Sequence, residues 1–351
     1  MRGSGDTDVS HGGWRPLVEV WRGGTLESVH HGAVAVTDDT GRTVLAHGDP
    51  GIVTFLRSSA KPAQVLPLLA SGVADRFGFT DEEIAVMIGS HGGEPFHVAA
   101  VRSILTKTGV GEDALRCGAH APYHRPSARA LEAAGQTPTA IHNNCSGKHA
   151  GMLALAVAIG APTESYLEDD HPVQARIRKT VATLAGMPEG DLGLAVDGCS
   201  APNFALPLDR AAGLYARLMT GRSLPADLRE AAARAIAAMR RHPAMVAGTD
   251  RLCTELMRAG GGGLVAKIGA EGFYGLGYER DGRGFGIALK IADGDGNRAR
   301  PAAALAALTA LEVLGEAPAA DLFARFVGVV RNHRGLVVGR VDSVLDLRPP
   351  P

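Results

Sequence analysis

GLVAKIGAEGFYGLGYERDGRGFGIALKI, residues 263–291, holds three apolar runs divided by glycines and by the turn-like ERDGRG, the pattern of an antiparallel meander. Strands are also expected near the start, in PLVEVWRGG (16–24) and in the two halves of HGAVAVTDDTGRTVLAHG (31–48), joined through Asp38, Asp39, Thr40 and Gly41. Between these ends the apolar residues follow helical spacing. KPAQVLPLLASGVADRFG after Ser58 reads as one helix, with Pro62 tolerable near its start and Pro67 a kink. TDEEIAVMI opens with a capping box from Thr80 to Glu83 and breaks at the glycines of SHGGE. EPFHVAAVRSILTKTG, RPSARALEAAG, HPVQARIRKTVATLAG, most of 209–248 and ARPAAALAALTALEVLG add further helices, and NNCSGKHAGMLALAVAIG a buried one with a polar start. Sheet at both ends with helices between predicts an α+β fold, an antiparallel sheet flanked by helices, over an alternating βαβ domain.

A chain of 351 residues can bury a large core, and 45% hydrophobic against 21% charged content suits a globular protein. A formal charge of -1 gives no bulk basicity for nucleic acid and leaves a small uncharged or zwitterionic substrate open. No apolar run is long enough for a membrane span, and MRGSGDTDVSHGG lacks the apolar segment of a secretion signal, so the cytoplasm is the expected location. Cys117, Cys145, Cys199 and Cys253 lie far apart and are expected as thiols. The expected organisation is a polar leader over 1–16 and a single catalytic domain over 17–345, with room for a helical subdomain inside it.

Several residues can carry chemistry. Ser58 and Lys61 stand three apart, so on a helix they share a face, and a neutral lysine amine can take a serine proton. Ser59 is a rival hydroxyl whose spacing from Lys61 puts it off that face. Ser90, in IGSHGGE, is either a turn hydroxyl or a second proton carrier or oxyanion donor, and His91 beside it is a candidate base. In HNNCSGKHAG, Cys145 has metal-ligand spacing to His149 and also to Lys148. Asp197 and Cys199, in VDGCS, alternate along an expected strand and point the same way, and zinc suits such a set. The other reading of these residues is polar helix caps with buried thiols. Cys253, in DRLCTELM, shares a helical face with Leu252, Leu256 and Met257, so packing explains it first. Lys267 interrupts an apolar strand, as a lysine snorkelling from an edge or as part of a site. If it faces Ser90 there are two serine–lysine pairs, and the neighbouring ammonium groups would lower one another's pKa. KTG at Lys107, DGDGN at Asp293 and GGGGLVAK lack the contexts of a β-lactamase triad, a calcium loop and a phosphate loop.

Taken together, RSSAKP, SHGGE, HNNCSGKHAGML, VDGCSAPNFALPL and AKIGAEGFYGLG resemble the asparaginase II family in its Rhizobium-type, serine β-lactamase-like branch, from about Leu17 to Val341. The glycine-rich threonine motif of the threonine-nucleophile asparaginases is missing, and the chain does not look like the self-cleaving type. The resemblance implies a serine β-lactamase-like fold, a homodimer, and hydrolysis of L-asparagine to L-aspartate and ammonia. It implies Ser58 as nucleophile with Lys61, and Ser90 with Lys267 as a second pair. It puts zinc on Cys145, Lys148 and Cys199, with Asp197 behind them and Cys253 lining the same site, and His91 and Gly92 near the substrate. His149, favoured by spacing alone, gives way to Lys148. The competing expectations are a serine β-lactamase or peptidase, a zinc amidohydrolase using activated water, and a binding domain without turnover.

Overall fold

The computed structural model describes residues 12–350, so the first eleven residues of the expected leader lie outside the described residues. Eleven strands are described: β1 (Arg15–Arg22), β2 (Thr25–Asp38), β3 (Thr43–His47), β4 (Val53–Phe55), β5 (Gly193–Val196), β6 (Pro202–Pro207), β7 (Leu264–Ile268), β8 (Phe273–Arg280), β9 (Arg283–Ile291), β10 (Val329–Arg331) and β11 (Val337–Ser343). Eight form one sheet in the order β10-β11-β1-β2-β9-β8-β7, with β3 also on β2, and every pairing is antiparallel. β4, β6 and β5 make a second, three-stranded sheet. The α+β class and the meander are as expected. The hairpin of β10 and β11 was not anticipated, nor was the helix Glu316–Phe326.

One face of the large sheet is covered by the helix Leu208–Thr220, which buries Leu208, Ala211, Ala212, Leu214, Tyr215 and Leu218. Each large side chain of that stripe contributes about 1.5–3 kcal/mol of burial. The approach is close because β8 and β9 are glycine-rich. A Cβ on Gly286 would sit 1.8 Å from the Ala212 carbonyl oxygen, so no larger residue fits there. On another side, the helix Ser146–Ile159 is buried from Ser146 to Ala156, which suits a helix apolar nearly all round.

Two expectations need correction. The single helix after Ser58 is three short pieces, Lys61–Gln64, Leu66–Ala70 and Val73–Arg76. Pro67 has no N–H to continue the ladder, and Gly72 adopts φ 67°, which ends the second piece. Asp197 and Cys199 do not lie on a strand either. β5 ends at Val196, and Asp197–Ser200 is a turn closed by the Ser200 N–H on the Asp197 carbonyl at 2.9 Å, with Ser200 at φ 67°. The Thr80–Glu83 capping box is present in both directions.

Candidate active site

Ser58 stands just past the end of β4. The Leu56 N–H donates to the Phe204 carbonyl at 2.9 Å, which fixes where the chain leaves the small sheet. Arg57 then takes a left-handed conformation, φ 51°, a strained choice for a residue with a long side chain. Its backbone N–H donates to Asn203 Oδ1 at 3.0 Å and its Nε to Asp197 Oδ1 at 2.6 Å, so both ends of the residue are held. Arg57–Ala60 form a 3₁₀ turn that runs into the helix at Lys61. Ser59 is committed elsewhere: its hydroxyl donates to the Lys267 carbonyl at 2.7 Å, and its own carbonyl accepts from Tyr215 at 2.7 Å. Ser58 is half-buried, and among the described residues its hydroxyl has no hydrogen-bond partner.

The Lys61 amine is fully enclosed and turns to Ser90. It donates to the Gly89 carbonyl at 2.5 Å, to Ser90 Oγ at 3.0 Å and to the Asn144 carbonyl at 3.5 Å. Lys267 reaches the same oxygen from β7, with Nζ 2.8 Å from Ser90 Oγ and 3.0 Å from the Ile268 carbonyl. The second pairing anticipated from sequence, Ser90 with Lys267, is thus formed. The first, Ser58 with Lys61, is adjacent in the chain without a hydrogen bond between the side chains. Lys267 has no exposed surface. That burial, reinforced by the charge of Lys61, holds its pKa well below the usual lysine value, so the amine is available as a base. β7 is an edge strand, yet Lys267 points inward rather than snorkelling.

His91 lies behind Ser90 instead of on it. Its Nε2 is 3.0 Å from Ser146 Oγ, Nδ1 accepts the Gly93 N–H at 3.2 Å, and its ring stacks on His97. Burial, with the neighbouring His97, keeps it neutral. Gly92 contributes its backbone, the carbonyl accepting from the His124 N–H at 2.9 Å.

A second cluster gathers around the first turn of the helix Ser146–Ile159. Gly147 lets this turn touch the end of the helix Asp81–Ile88, since a Cβ there would lie 2.3 Å from the Val86 carbonyl oxygen. Lys148 Nζ donates to Cys199 Sγ at 2.9 Å, and that sulfur is 3.9 Å from Asp197 Oδ2. A hydrogen bond with Cys199, together with the charges of Lys61 and Lys148, outweighs burial and draws the Cys145 thiol well below its ordinary range. Asp197 is lowered as well: burial opposes ionisation, but the charge of Lys148 and the hydrogen bond from Arg57 prevail. All four cysteines are free thiols. Among the described residues no three His, Cys, Asp or Glu side chains group as a metal centre. Two soft sulfurs and a lysine nitrogen gather at this buried place, donors that suit zinc only once the ammonium, held above its ordinary pKa by the thiols, has given up its proton. His149 has Nδ1 on the Tyr166 hydroxyl at 2.6 Å, and its ring also reaches the Cys199 thiol. The Cys253 thiol meets the Tyr274 hydroxyl at 3.1 Å, and both Cys253 and Cys145 lie close enough to act on Lys267.

Sequence reasoning missed Arg57, Asn203 and Asn144. Nothing in the spacing marks them, because their roles are a positive φ, a cap on a distant backbone N–H and a backbone carbonyl. The one available signal was position: Arg57 precedes Ser58, and Asn144 opens the NCSGKH stretch.

A family model described as L-asparaginase II matches residues 18–343. No curated protein matches the chain. Among solved structures, one titled Crystal Structure Analysis of Mglu is 15% identical, with a TM-score of 0.44 over 81% of this chain and 67% of that one. A Bacillus glutaminase crystallised in 4.3M NaCl is 12% identical, with a TM-score of 0.40 over 81% of this chain and 91% of that one. A β-lactamase from Desulfarculus baarsii DSM 2075 is 18% identical, with a TM-score of 0.32 over 86% of this chain and 93% of that one. The chain spans only 59% to 67% of the length of three Mglu chains. Among the described residues no helix is long and apolar enough to cross a membrane.

Proposed function

Because the chain belongs to the L-asparaginase II family, a family of amide hydrolases, we propose that it hydrolyses the side-chain amide of L-asparagine to L-aspartate and ammonia through an acyl-enzyme on Ser58. The observation that carries this reading is the buried line of Lys61, Ser90 and Lys267, each within hydrogen-bond distance of the next. Ser58 has a half-exposed, uncommitted hydroxyl one turn before Lys61. Its Oγ forms a bond to the amide carbon while the carbonyl π pair moves onto oxygen, and its proton passes by way of Lys61 and Ser90 to the neutral Lys267 amine. Backbone N–H groups and nearby hydroxyl or cationic side chains stabilise the oxyanion. Its collapse breaks the C–N bond, and the leaving nitrogen takes up the transferred proton to depart as ammonia. Water then attacks the ester carbonyl, aspartate is released and Ser58 recovers its proton.

The test is ammonia release from asparagine, with glutamine in parallel, for the wild type and Ser58→Ala. The variant is expected to fold normally and lose turnover. Wild-type activity in it would remove Ser58 from the role.

Cys145, Lys148 and Cys199 are the residues that would hold zinc, which when bound supplies positive charge that orders the substrate. Lys148 must lose its proton for this, so the affinity falls at low pH. Chelation that leaves turnover and substrate affinity unchanged, with metal analysis verifying that the zinc is gone, ends that role. A homodimer is part of the same reading. Exposed Val53 and Phe55 on β4, and Leu194 and Val196 on β5, give the small sheet apolar surface for it. Sedimentation of a monomer at micromolar concentration would contradict the dimer.

A further inference from the structure

A partly open cavity of about 280 Å³ lies beside β7, lined by Asp250, Arg251, Ile268, Tyr274, Asn297 and Arg300 among others. Residues next to its lining reach toward both serine segments. Gly269 follows Ile268 and is pressed on the Leu56 carbonyl two residues ahead of Ser58, so that a Cβ on it would come within 2.7 Å of that oxygen. The Gly269 carbonyl in turn accepts Arg300 Nη1 at 2.9 Å. On the other side, a Cβ on Gly248 would lie 3.5 Å from the Gly92 nitrogen and 3.6 Å from Arg251 Cγ, so only Gly248 stands between the Arg251 stem and the end of the Ser90–Gly92 loop. The cavity therefore adjoins the backbone before Ser58, the loop after Ser90 and the residue next to Lys267.

Two arginines, Arg251 and Arg300, line it against one carboxylate, Asp250. Arg300 is fixed by Nη1 on Gly269 and by Nη2 on the Gly296 carbonyl at 2.8 Å, and its buried Nε has no partner among the described residues. The Arg251 side chain makes no hydrogen bond or ion pair with any described residue, only its carbonyl accepting from the Glu255 N–H at 3.0 Å. The carboxylates nearby have other partners, Asp295 accepting from the Arg298 and Ala299 N–H groups at 2.8 and 2.6 Å. Asp250 faces Arg325 at 3.8 Å, and Glu94 accepts from the Thr249 backbone at 2.8 Å and its hydroxyl at 2.7 Å. A free guanidinium at the mouth of a small cavity is suited to bidentate capture of a carboxylate.

We propose that Arg251, with Arg300 adding charge behind it, binds the α-carboxylate of the substrate and so selects a free amino acid over the same residue in peptide or ester linkage. The proposal rests on the amidohydrolase reading and names the substrate class for it. It is tested with L-asparagine and L-asparagine α-methyl ester, reading ammonia, on the wild type, Arg251→Gln and Arg251→Lys. Arg251→Gln is expected to raise KM for asparagine roughly 30-fold to 100-fold with kcat nearly unchanged, and to leave the ester almost unaffected. Arg251→Lys, which keeps charge without the fork, falls between. An equal loss on both substrates, or a loss on neither, overturns the proposal.

A binding arm separates this from the reaction itself. L-aspartate is titrated calorimetrically into the wild type and Arg251→Gln. Binding that requires Arg251 in a protein that releases no ammonia refutes the hydrolysis and keeps the carboxylate site. Aspartate that binds both proteins equally, or neither at millimolar concentration, refutes the site whatever the turnover.

Discussion

Lys267 on β7 and Lys148 on the helix Ser146–Ile159 are both enclosed by the fold, 0% and 5% exposed, and their surroundings drive their charges in opposite directions. Burial lowers the Lys267 pKa and the charge of Lys61 lowers it further, with a hydroxyl as its close side-chain partner. Burial works against the Lys148 ammonium too, but Cys199 and Cys145, and then Asp197, outweigh it and hold its pKa above the ordinary value. Enclosure alone therefore fixes neither protonation state; the sign of the nearest partner decides. One lysine gives up its charge more readily than usual, and the other holds it among sulfurs.

Exchanging the two lysines in turn is the strongest way to break this contrast. Lys267→Met is expected to lower kcat for asparagine by roughly 10²-fold to 10⁴-fold, the range for a lost proton acceptor. Lys148→Met should act mainly on metal content and KM. Equal losses of kcat in the two variants would erase the distinction. Ser90→Ala, which cuts the link between Lys61 and Lys267, is expected to cost roughly 100-fold in kcat by the same measurement. A variant with undiminished kcat shows that the proton does not pass through Ser90.

Smaller effects sharpen the other side. Cys199→Ser should weaken zinc retention roughly 10-fold to 100-fold, read by metal analysis after dialysis against a weak chelator. Retention unchanged by the substitution excludes Cys199 as a ligand. The gentlest effect is on stability. The unfolded chain keeps the Lys267 proton up to about 10.5, whereas the folded protein gives it up at lower pH. Between those two values the unfolded state binds more protons, so this residue makes stability rise with pH, by at most about 1.4 kcal/mol per pH unit. Denaturant midpoints across that window should climb less steeply in Lys267→Met. An identical slope means that Lys267 is not depressed.

The sequence carried the meander, the capped helix at Thr80 and the buried helix after Cys145, because each is written in local periodicity. It also carried the cast of the site, since SxxK, SHGGE and NCSGKH stand out as blocks. What it could not carry is which oxygen or sulfur each lysine reaches. Three-residue spacing pairs Ser58 with Lys61, but the long lysine side chain reaches Ser90, held by a different helix end, and only the packed fold decides between them. The strain at Arg57, the Asn203 cap and the free guanidinium of Arg251 are tertiary in the same sense. β10 and β11 went unread because VVR and VVGRVDS are short and bounded by weak turn signals.

The place of β11 has a consequence for assembly. It pairs with β1, Val341 opposite Val20, so the outer edge of β1 finds its partner in a strand that follows the whole candidate site in the chain. Every residue of the two lysine clusters, from Arg57 to Lys267, is synthesised before that partner. As the chain emerges from the ribosome, the parts of the candidate site are all made while one strand of the large sheet still offers an open row of peptide groups, the surface most apt to pair with a neighbouring chain.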